Sequence, residues 1–438
     1  MNDGALDGTR VLAFTQALAG PWAGLLLASH GAEVIKVESS LAPDAFRRFG
    51  ARHAPPRFLE YNRNTLSVSV NLKHPQGPEL IKRLVKLCDV VLENFSAPVM
   101  GKFGLDYPDL RAVKKDIVML RMPGFGTFGP KRDWQSWGQT LNAFVGLLHL
   151  WRHDENSAPA GSQTPLADYM GGVVGLCAVM AALLDRDRTG EGHLIDLSQA
   201  EALGYFAGVT YLETLFAGMA PTPENSQDCG PLADPSASLR AGGTGRACAR
   251  GSDKTDPKPA GNRSPSAAPH DCFPCRGRQG EEDRWCAIAV ETEDQWTALC
   301  TAMGRPDLAT DPRFASLPLR QEHLVELNQI ISQWTSSRDP YEVMHTLQAA
   351  GVPCGVVQTG EDLLHDPHLR ARQFPVVLDH PVVGRLTYPG SPFRLTATPG
   401  RPDRLAPELG QHNDYVFGQL LGMTREEIAK LQAEKVLV

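Results

Sequence analysis

The first 125 residues alternate, with little spare chain, between short β-rich runs and longer segments of helical character. "RVLAFT" is followed by "GPWAGLLLASHG", with a proline near the start of the helical segment and a glycine at its end. "AEVIKVE", "TLSVSVNL", "DVVLENF" and "DIVMLRM" read as further strands, and "PQGPELIKRLVKLC" and "DYPDLRAVKK" as helices between them. The pattern predicts an α/β fold, a Rossmann-like, doubly wound and mainly parallel sheet with helices on both sides. Ligands of such sheets sit beyond the carboxyl ends of the strands, so the segments after Phe14, Glu38, Leu72 and Phe95 are the places to search.

The familiar nucleotide signatures are missing. After the first strand the chain reads "TQALAGPWAG", not GxGxxG, and no GxxxxGK[ST] occurs, which argues against NAD, FAD or P-loop chemistry. With 438 residues and 42% hydrophobic composition the chain is long enough for two or three globular domains. Its net charge of -7 predicts no general attraction to nucleic acid or anionic membrane, so an anionic ligand needs a local Lys/Arg cluster. No apolar run reaches the ~18 residues of a membrane span, and "MNDGALDGTR" is unlike a signal peptide. Nine scattered cysteines fit reduced thiols and a cytoplasmic location. Cys272 and Cys275 have CxxC spacing, but no second Cys or His pair accompanies them, so they read as incidental and no metal site is expected.

Composition also marks the domains. Residues 1–205 are expected as the first part of a large domain, and residues 206–268 as a linker whose later part is rich in Pro, Gly and Ser. "GGTG" within it lacks the preceding strand of a phosphate loop. A smaller α+β domain is expected over 269–335, a return linker over 336–365, and the rest of the large domain over 366–438.

The sharpest question lies in "TPLADYMGG", where Asp168 precedes the apolar run "VVGLCAVMAALL". Asp is a favoured helix N-cap, so the plain reading is structural; the other is a reacting carboxylate. Gly171 and Gly172, costly in a helix by about 1 kcal/mol each, fit close packing and close substrate approach equally well.

Several pieces in order, "LDGTRVLAFTQALAGPWAGLLLASHGAEVIKVE", "NRNTLSVSVNLKHPQG", "DVVLENF", "PLADYMGG", "RTGEGHLIDLSQAEAL", "GVPCG", "HDPHLRAR" and "APELGQHN", resemble the family III CoA-transferases, the formyl-CoA transferase and carnitine CoA-transferase group. The resemblance implies a large Rossmann-like domain built from both chain ends, a small central domain and an interlocked homodimer. It implies that Asp168 is the nucleophile that carries the CoA between an acyl-CoA and a carboxylic acid acceptor, with no metal or redox cofactor. Carried over by position, Ala17, Leu18 and Ala19 lie beside the pantetheine, and Lys73, Asn94, Phe95 and Lys102 contact CoA. Leu18, Ser39 and Ser136 depart from the formyl-CoA transferase pattern, which argues against formyl and oxalate and toward a bulkier or dicarboxylic acyl group. The rivals are an α-methylacyl-CoA racemase-like isomerase, whose base would fall at Trp137, and a catalytically silent CoA-binding protein.

Overall fold

The computed structural model describes residues 4–48, 55–152, 156–159, 161, 164–217, 261–277, 283–400 and 404–438. Contacts divide the chain into two compact units, Met1–Leu147 with Ser162–Lys254 and Pro367–Val438 in one, and Leu148–Gly161 with Thr255–Asp366 in the other.

The first unit is built on six strands, β1 (Arg10–Phe14), β2 (Glu33–Glu38), β3 (Leu66–Ser69), β4 (Val90–Glu93), β5 (Val118–Arg121) and β6 (Leu194–Asp196). They form one sheet in the order β3-β2-β1-β4-β5-β6, with every neighbouring pair parallel. This is the dinucleotide-fold strand order, which reverses direction of growth between β1 and β4. Successive residues of each strand point to opposite faces. Leu12, Phe14, Ile35 and Val91 join one buried cluster, with helix Gln76–Val85 and the C-terminal residues Val416, Phe417 and Ile428. Val11, Ala13, Val34 and Leu92 join the other, with helices Ala19–Ser29 and Leu166–Thr189. Both faces of the sheet are therefore covered. The C-terminal residues also tie to the sheet edge: Ser69 N–H donates to Asn413 Oδ1 at 3.0 Å, and Asn71 N–H to the Val436 carbonyl at 2.8 Å.

The helix Leu166–Thr189 starts three residues earlier than a cap at Asp168 would require, and it ends at Gly190 in the left-handed conformation. By length and composition it is apolar enough to cross a membrane, although the sequence shows no uninterrupted apolar run of that length. Here one of its faces is packed into the core, and the glycines explain how. A Cβ on Gly172 would lie 2.6 Å from Trp22 Cδ1 and 3.0 Å from the Ala19 carbonyl, and one on Gly175 would lie 2.8 Å from Met122 Sδ. The absence of side chains lets this helix sit directly on the Ala19–Ser29 helix and on β5. Close helix packing, not substrate approach, is what Gly171 and Gly172 serve, since a Cβ on Gly171 would meet Gln199 Cγ at 3.0 Å.

The second unit has a three-stranded antiparallel sheet, β7 (His270–Cys275), β8 (Arg284–Ala289) and β9 (Cys354–Val356), in that order. Helices Glu293–Ala302, Leu324–Thr335 and Pro340–Ala349 share its core through Trp296, Leu299, Ile331 and Leu347. Residues 336–365, expected as a return linker, supply one of these helices and strand β9. Cys272 and Cys275 stand three apart on one strand and so face opposite sides, Cys272 exposed and Cys275 buried. Their CxxC spacing makes neither a chelate nor a redox pair. Of the expected linker, residues 206–217 are largely helix, Gly208–Ala217, and Ala267 and Ala268 are buried; "GGTG" lies outside the described residues.

Candidate active site

The loop after β1 and the loop after β4 meet where the sheet reverses its growth, and they are bound to each other. Asn94 Oδ1 accepts from Gln16 N–H at 2.8 Å, and Asn94 Nδ2 returns a hydrogen bond to the Gln16 carbonyl at 2.9 Å. The next residue, Ala17, has φ +57°, a left-handed conformation unusual for a residue with a side chain. A buried ion pair holds this turn. Lys36 Nζ donates to the Thr15 carbonyl at 2.6 Å and to Asp44 Oδ2 at 2.8 Å, and Asp44 Oδ1 accepts from Ala17 N–H at 3.4 Å. Below Asn94, buried Glu93 pairs with Arg121 at 2.8 Å and accepts from Phe95 N–H at 2.7 Å. Burial pushes the Glu93 carboxyl up to about 7, outweighing the guanidinium beside it.

The strained turn delivers the N–H of Ala19, first residue of the helix Ala19–Ser29, to the Asp168 carboxylate, which accepts from it. Asp168 occupies the third position of its own helix and is not the cap; Pro165 stands at the cap position with no side-chain bond. The capping role belongs to Asn142, fully buried on helix Gly138–Phe144. Its Oδ1 accepts from Ala167 N–H at 3.2 Å, and its Nδ2 donates to the Thr164 carbonyl at 3.0 Å. The Asp168 carboxylate is thus left for something else, close to two helix N-termini that favour its anion. Burial nonetheless pushes it up to about 6, with the Ala19 N–H pulling the other way. At pH 7 such a group is ionised by about ten to one. Tyr169, the next residue, is held by a hydroxyl–hydroxyl bond to Tyr61 and an edge-on contact with Trp22.

Asp168 lines a cavity of about 230 Å³ with Gln16, Ala17, Asn94, Phe95, Arg132, Trp134, Ser136, Trp137 and Gly138. Gly138 makes room for the carboxylate: a Cβ there would lie 1.9 Å from Asp168 Oδ2. A second cavity, about 320 Å³, opens between the ends of β1, β2 and β3, lined by Glu38, Ser39, Asn71, Lys73, Phe95 and Phe103 among others. Gln16 and Phe95 belong to both walls, so the two spaces adjoin.

Of the residues expected here from sequence, Asp168, Ala17, Asn94 and Phe95 come together around the first cavity, Ala19 binds Asp168 by its N–H, and Lys73 stands in the second. Leu18 is buried in the core and lines neither space; Lys102 is exposed on a short helix and lines neither, although Val99 and Phe103 beside it do. Gly138, Asn142, Gln16 and Arg132 escaped the sequence reading. Only Asn142 carried a signal, a polar residue in the apolar stretch "LNAFVGLL". Trp137 lines the Asp168 cavity, and an indole there supplies no proton-abstracting base, which removes the basis of the isomerase. Among the described residues no group of three or more His, Cys, Asp or Glu is arranged to hold a metal ion.

Comparison with known proteins identifies the family. Residues 6–242 and 244–413 match the family described as CoA-transferase family III. The chain is 33% identical over 435 residues to a succinyl-CoA–D-citramalate CoA-transferase of Chloroflexus aurantiacus, covering 99% of this chain and 98% of the relative. It is 28% identical over 431 residues to a succinate–glutarate CoA-transferase of Agrobacterium fabrum, covering 95% of each. The crystal structure of a CAIB/BAIF family protein from Brucella suis superposes with a TM-score of 0.79 at 26% identity, covering 95% of this chain and 100% of that one. The chain belongs to CoA-transferase family III and is a CoA-transferase.

Proposed function

We propose that the protein moves CoA between an acyl-CoA thioester and a free carboxylic acid through covalent intermediates on Asp168. The observation that carries this is a half-buried carboxylate, relieved of capping by Asn142, at the wall of a cavity where the sheet order reverses. Asp168 attacks the thioester carbonyl, the C–S bond breaks, and CoA leaves as the thiolate from a mixed anhydride. The thiolate attacks the Asp168 carbonyl of that anhydride, expels the donor acid as carboxylate and leaves an aspartyl-CoA thioester. The acceptor carboxylate attacks this thioester and releases CoA thiolate with a second anhydride. Attack of the thiolate on the acceptor's carbonyl then frees Asp168. No net proton or electron is gained or lost.

In this reading the second cavity takes the CoA nucleotide, with Lys73 for phosphate and Phe95 and Phe103 for the adenine or pantetheine, and Ala17 to Ala19 border the reacting end. Lys102 sits outside both spaces and serves at most a distant phosphate. The first cavity is small beside ordinary ligand pockets of roughly 300–1,000 Å³, so it suits a short acyl group. Together with relatives named for succinate, D-citramalate and glutarate, this favours a dicarboxylic rather than a bulky aromatic acid. A cytoplasmic homodimer belongs to the same proposal. Tyr205, Phe206, Val209 and Leu212, each more than half exposed, form an apolar stripe of the kind that a partner covers.

The test is trapping. Incubation with an acyl-CoA and mass analysis of the Asp168 peptide should reveal a CoA adduct that hydroxylamine converts to the hydroxamate. Asp168→Asn should bind CoA, form no adduct and lose transfer. Full transfer by Asp168→Asn would end the proposal.

A further inference from the structure

The loop "GPKRDWQSWG", Gly129–Gly138, carries two adjacent basic residues that part company. Lys131 Nζ lies 3.6 Å from the centre of the Trp134 ring and 5.7 Å from that of Phe144, so its charge is taken up by aromatic faces. Arg132 is turned into the wall of the Asp168 cavity by the loop's bend, in which Arg132 N–H donates to the Gly129 carbonyl at 3.3 Å. Among the described residues that line this cavity, Arg132 is the one cation and Asp168 the one acid.

The guanidinium is not spent on the nucleophile. Asp168 is held by the Ala19 N–H, and no cation offsets its burial. The ion pair Arg132 does make is with its own neighbour, Asp133, through Nε at 3.3 Å, the two side chains being 58% and 64% exposed. A solvent-exposed pair of this kind holds little energy and yields readily to a better-placed anion. That leaves the two terminal nitrogens, with their fork geometry suited to a carboxylate, without a partner among the described residues. Trp134 and Trp137 line the same space and present apolar surface to a short methylene chain.

A monocarboxylic acyl group offers such a cation nothing. Once its carboxyl is bound to sulfur or to Asp168 it carries no charge. A dicarboxylic acyl group keeps one carboxylate throughout the cycle, in thioester, anhydride and free acid alike, and bringing it into a partly dry cavity requires a counter-charge. We infer that Arg132 is a specificity-determining residue, holding the second carboxylate of a dicarboxylic acyl group while Asp168 works on the first. The inference rests on the covalent-transfer reading of Asp168 and adds to it the group that selects the acid.

Isotope exchange between an acid and its own thioester tests it, because donor and acceptor are then the same acid. Exchange of labelled succinate into succinyl-CoA and of labelled butyrate into butyryl-CoA compares two four-carbon chains that differ in one carboxylate. Wild-type enzyme should exchange succinate faster than butyrate. Arg132→Met should lose roughly 10- to 100-fold in kcat/KM for succinate, the range of a charge-assisted hydrogen bond, and lose far less for butyrate. Arg132→Lys should fall between. An active wild type in which Arg132→Met lowers both exchanges equally, or neither, would overturn the role of Arg132 and leave transfer through Asp168 standing. Exchange of neither acid by the wild type would count against the transfer reading itself and take the inference with it.

Discussion

A Cβ on Gly138 would lie 1.9 Å from Asp168 Oδ2 and 2.3 Å from Pro165 Cβ. The carboxylate's position in the cavity therefore depends on an atom that is missing from another helix. Gly138→Ala should push the Asp168 side chain aside and also press on the rigid Pro165 ring at the start of its helix. Misplacement of a reacting group by about 1 Å can lower a rate ~100-fold. The expected result is a loss of that order in kcat with CoA binding retained, and a melting temperature lowered by the contact with Pro165. Wild-type kcat in Gly138→Ala would show that the carboxylate tolerates displacement.

Asn142 is the second support of the same site, and its removal should be felt in stability as well as rate. Asn142→Ala strands the buried Ala167 N–H, while the Thr164 carbonyl keeps the N–H of Leu166. Unpaired buried polar groups cost about 1–3 kcal/mol, so the unfolding midpoint should fall accordingly. Asn142→Asp keeps the acceptor for Ala167 N–H but loses the donor to Thr164, and places a second acid near Asp168. Denaturant titration of both variants beside transfer assays checks the pair; stability equal to wild type in Asn142→Ala would contradict the capping role.

Asp168 itself should make the protein less stable as pH rises. Its folded value of about 6 lies above the ordinary 3.8, so the folded state binds more protons than the unfolded one between these values. Stability then falls as pH climbs through that window and levels off above it. Asp168→Asn removes the penalty and should be more stable than wild type by on the order of 1–3 kcal/mol at pH 7.5, and by progressively less toward pH 4. Transfer runs the opposite way: the nucleophile must be ionised, so kcat/KM should drop about tenfold per pH unit below 6. An activity limb near pH 4 would place the carboxylate in open water.

The pair Lys36–Asp44 is buried on both sides, with side-chain exposures of 1% and 0%. Lys36→Met leaves an uncompensated carboxylate under the Ala17 turn and should cost ~3–5 kcal/mol. The double variant Lys36→Met/Asp44→Asn should recover part of that stability. It should not recover kcat, because Asp44 Oδ1 also receives the Ala17 and Phe46 N–H groups, and a neutral amide holds them less firmly. A double variant as active as wild type would reduce the pair to a purely structural role.

The amino-acid order alone determined the layered architecture. Short β-rich runs such as "RVLAF", "EVIKVE", "VVLE" and "VMLR", alternating with helical segments, can be read without a partner in view. Asp168, Asn94 and Phe95 stood out as candidates in short motifs, and the structure brings them to one cavity. What the chain could not disclose locally was which group does which task around Asp168. An acid before an apolar run looks like a cap until Asn142, 25 positions away in sequence, is brought beside Ala167 to do the capping. Lys102, expected beside CoA, stands exposed on a short helix and lines neither cavity. Gly138 looks like loop punctuation until Asp168 Oδ2 fills the space beside it. Periodicity is a property of consecutive residues and survives in one dimension. A hydrogen bond, an empty volume or a charge across a cavity needs distant segments placed within a few ångströms, and only folding supplies that.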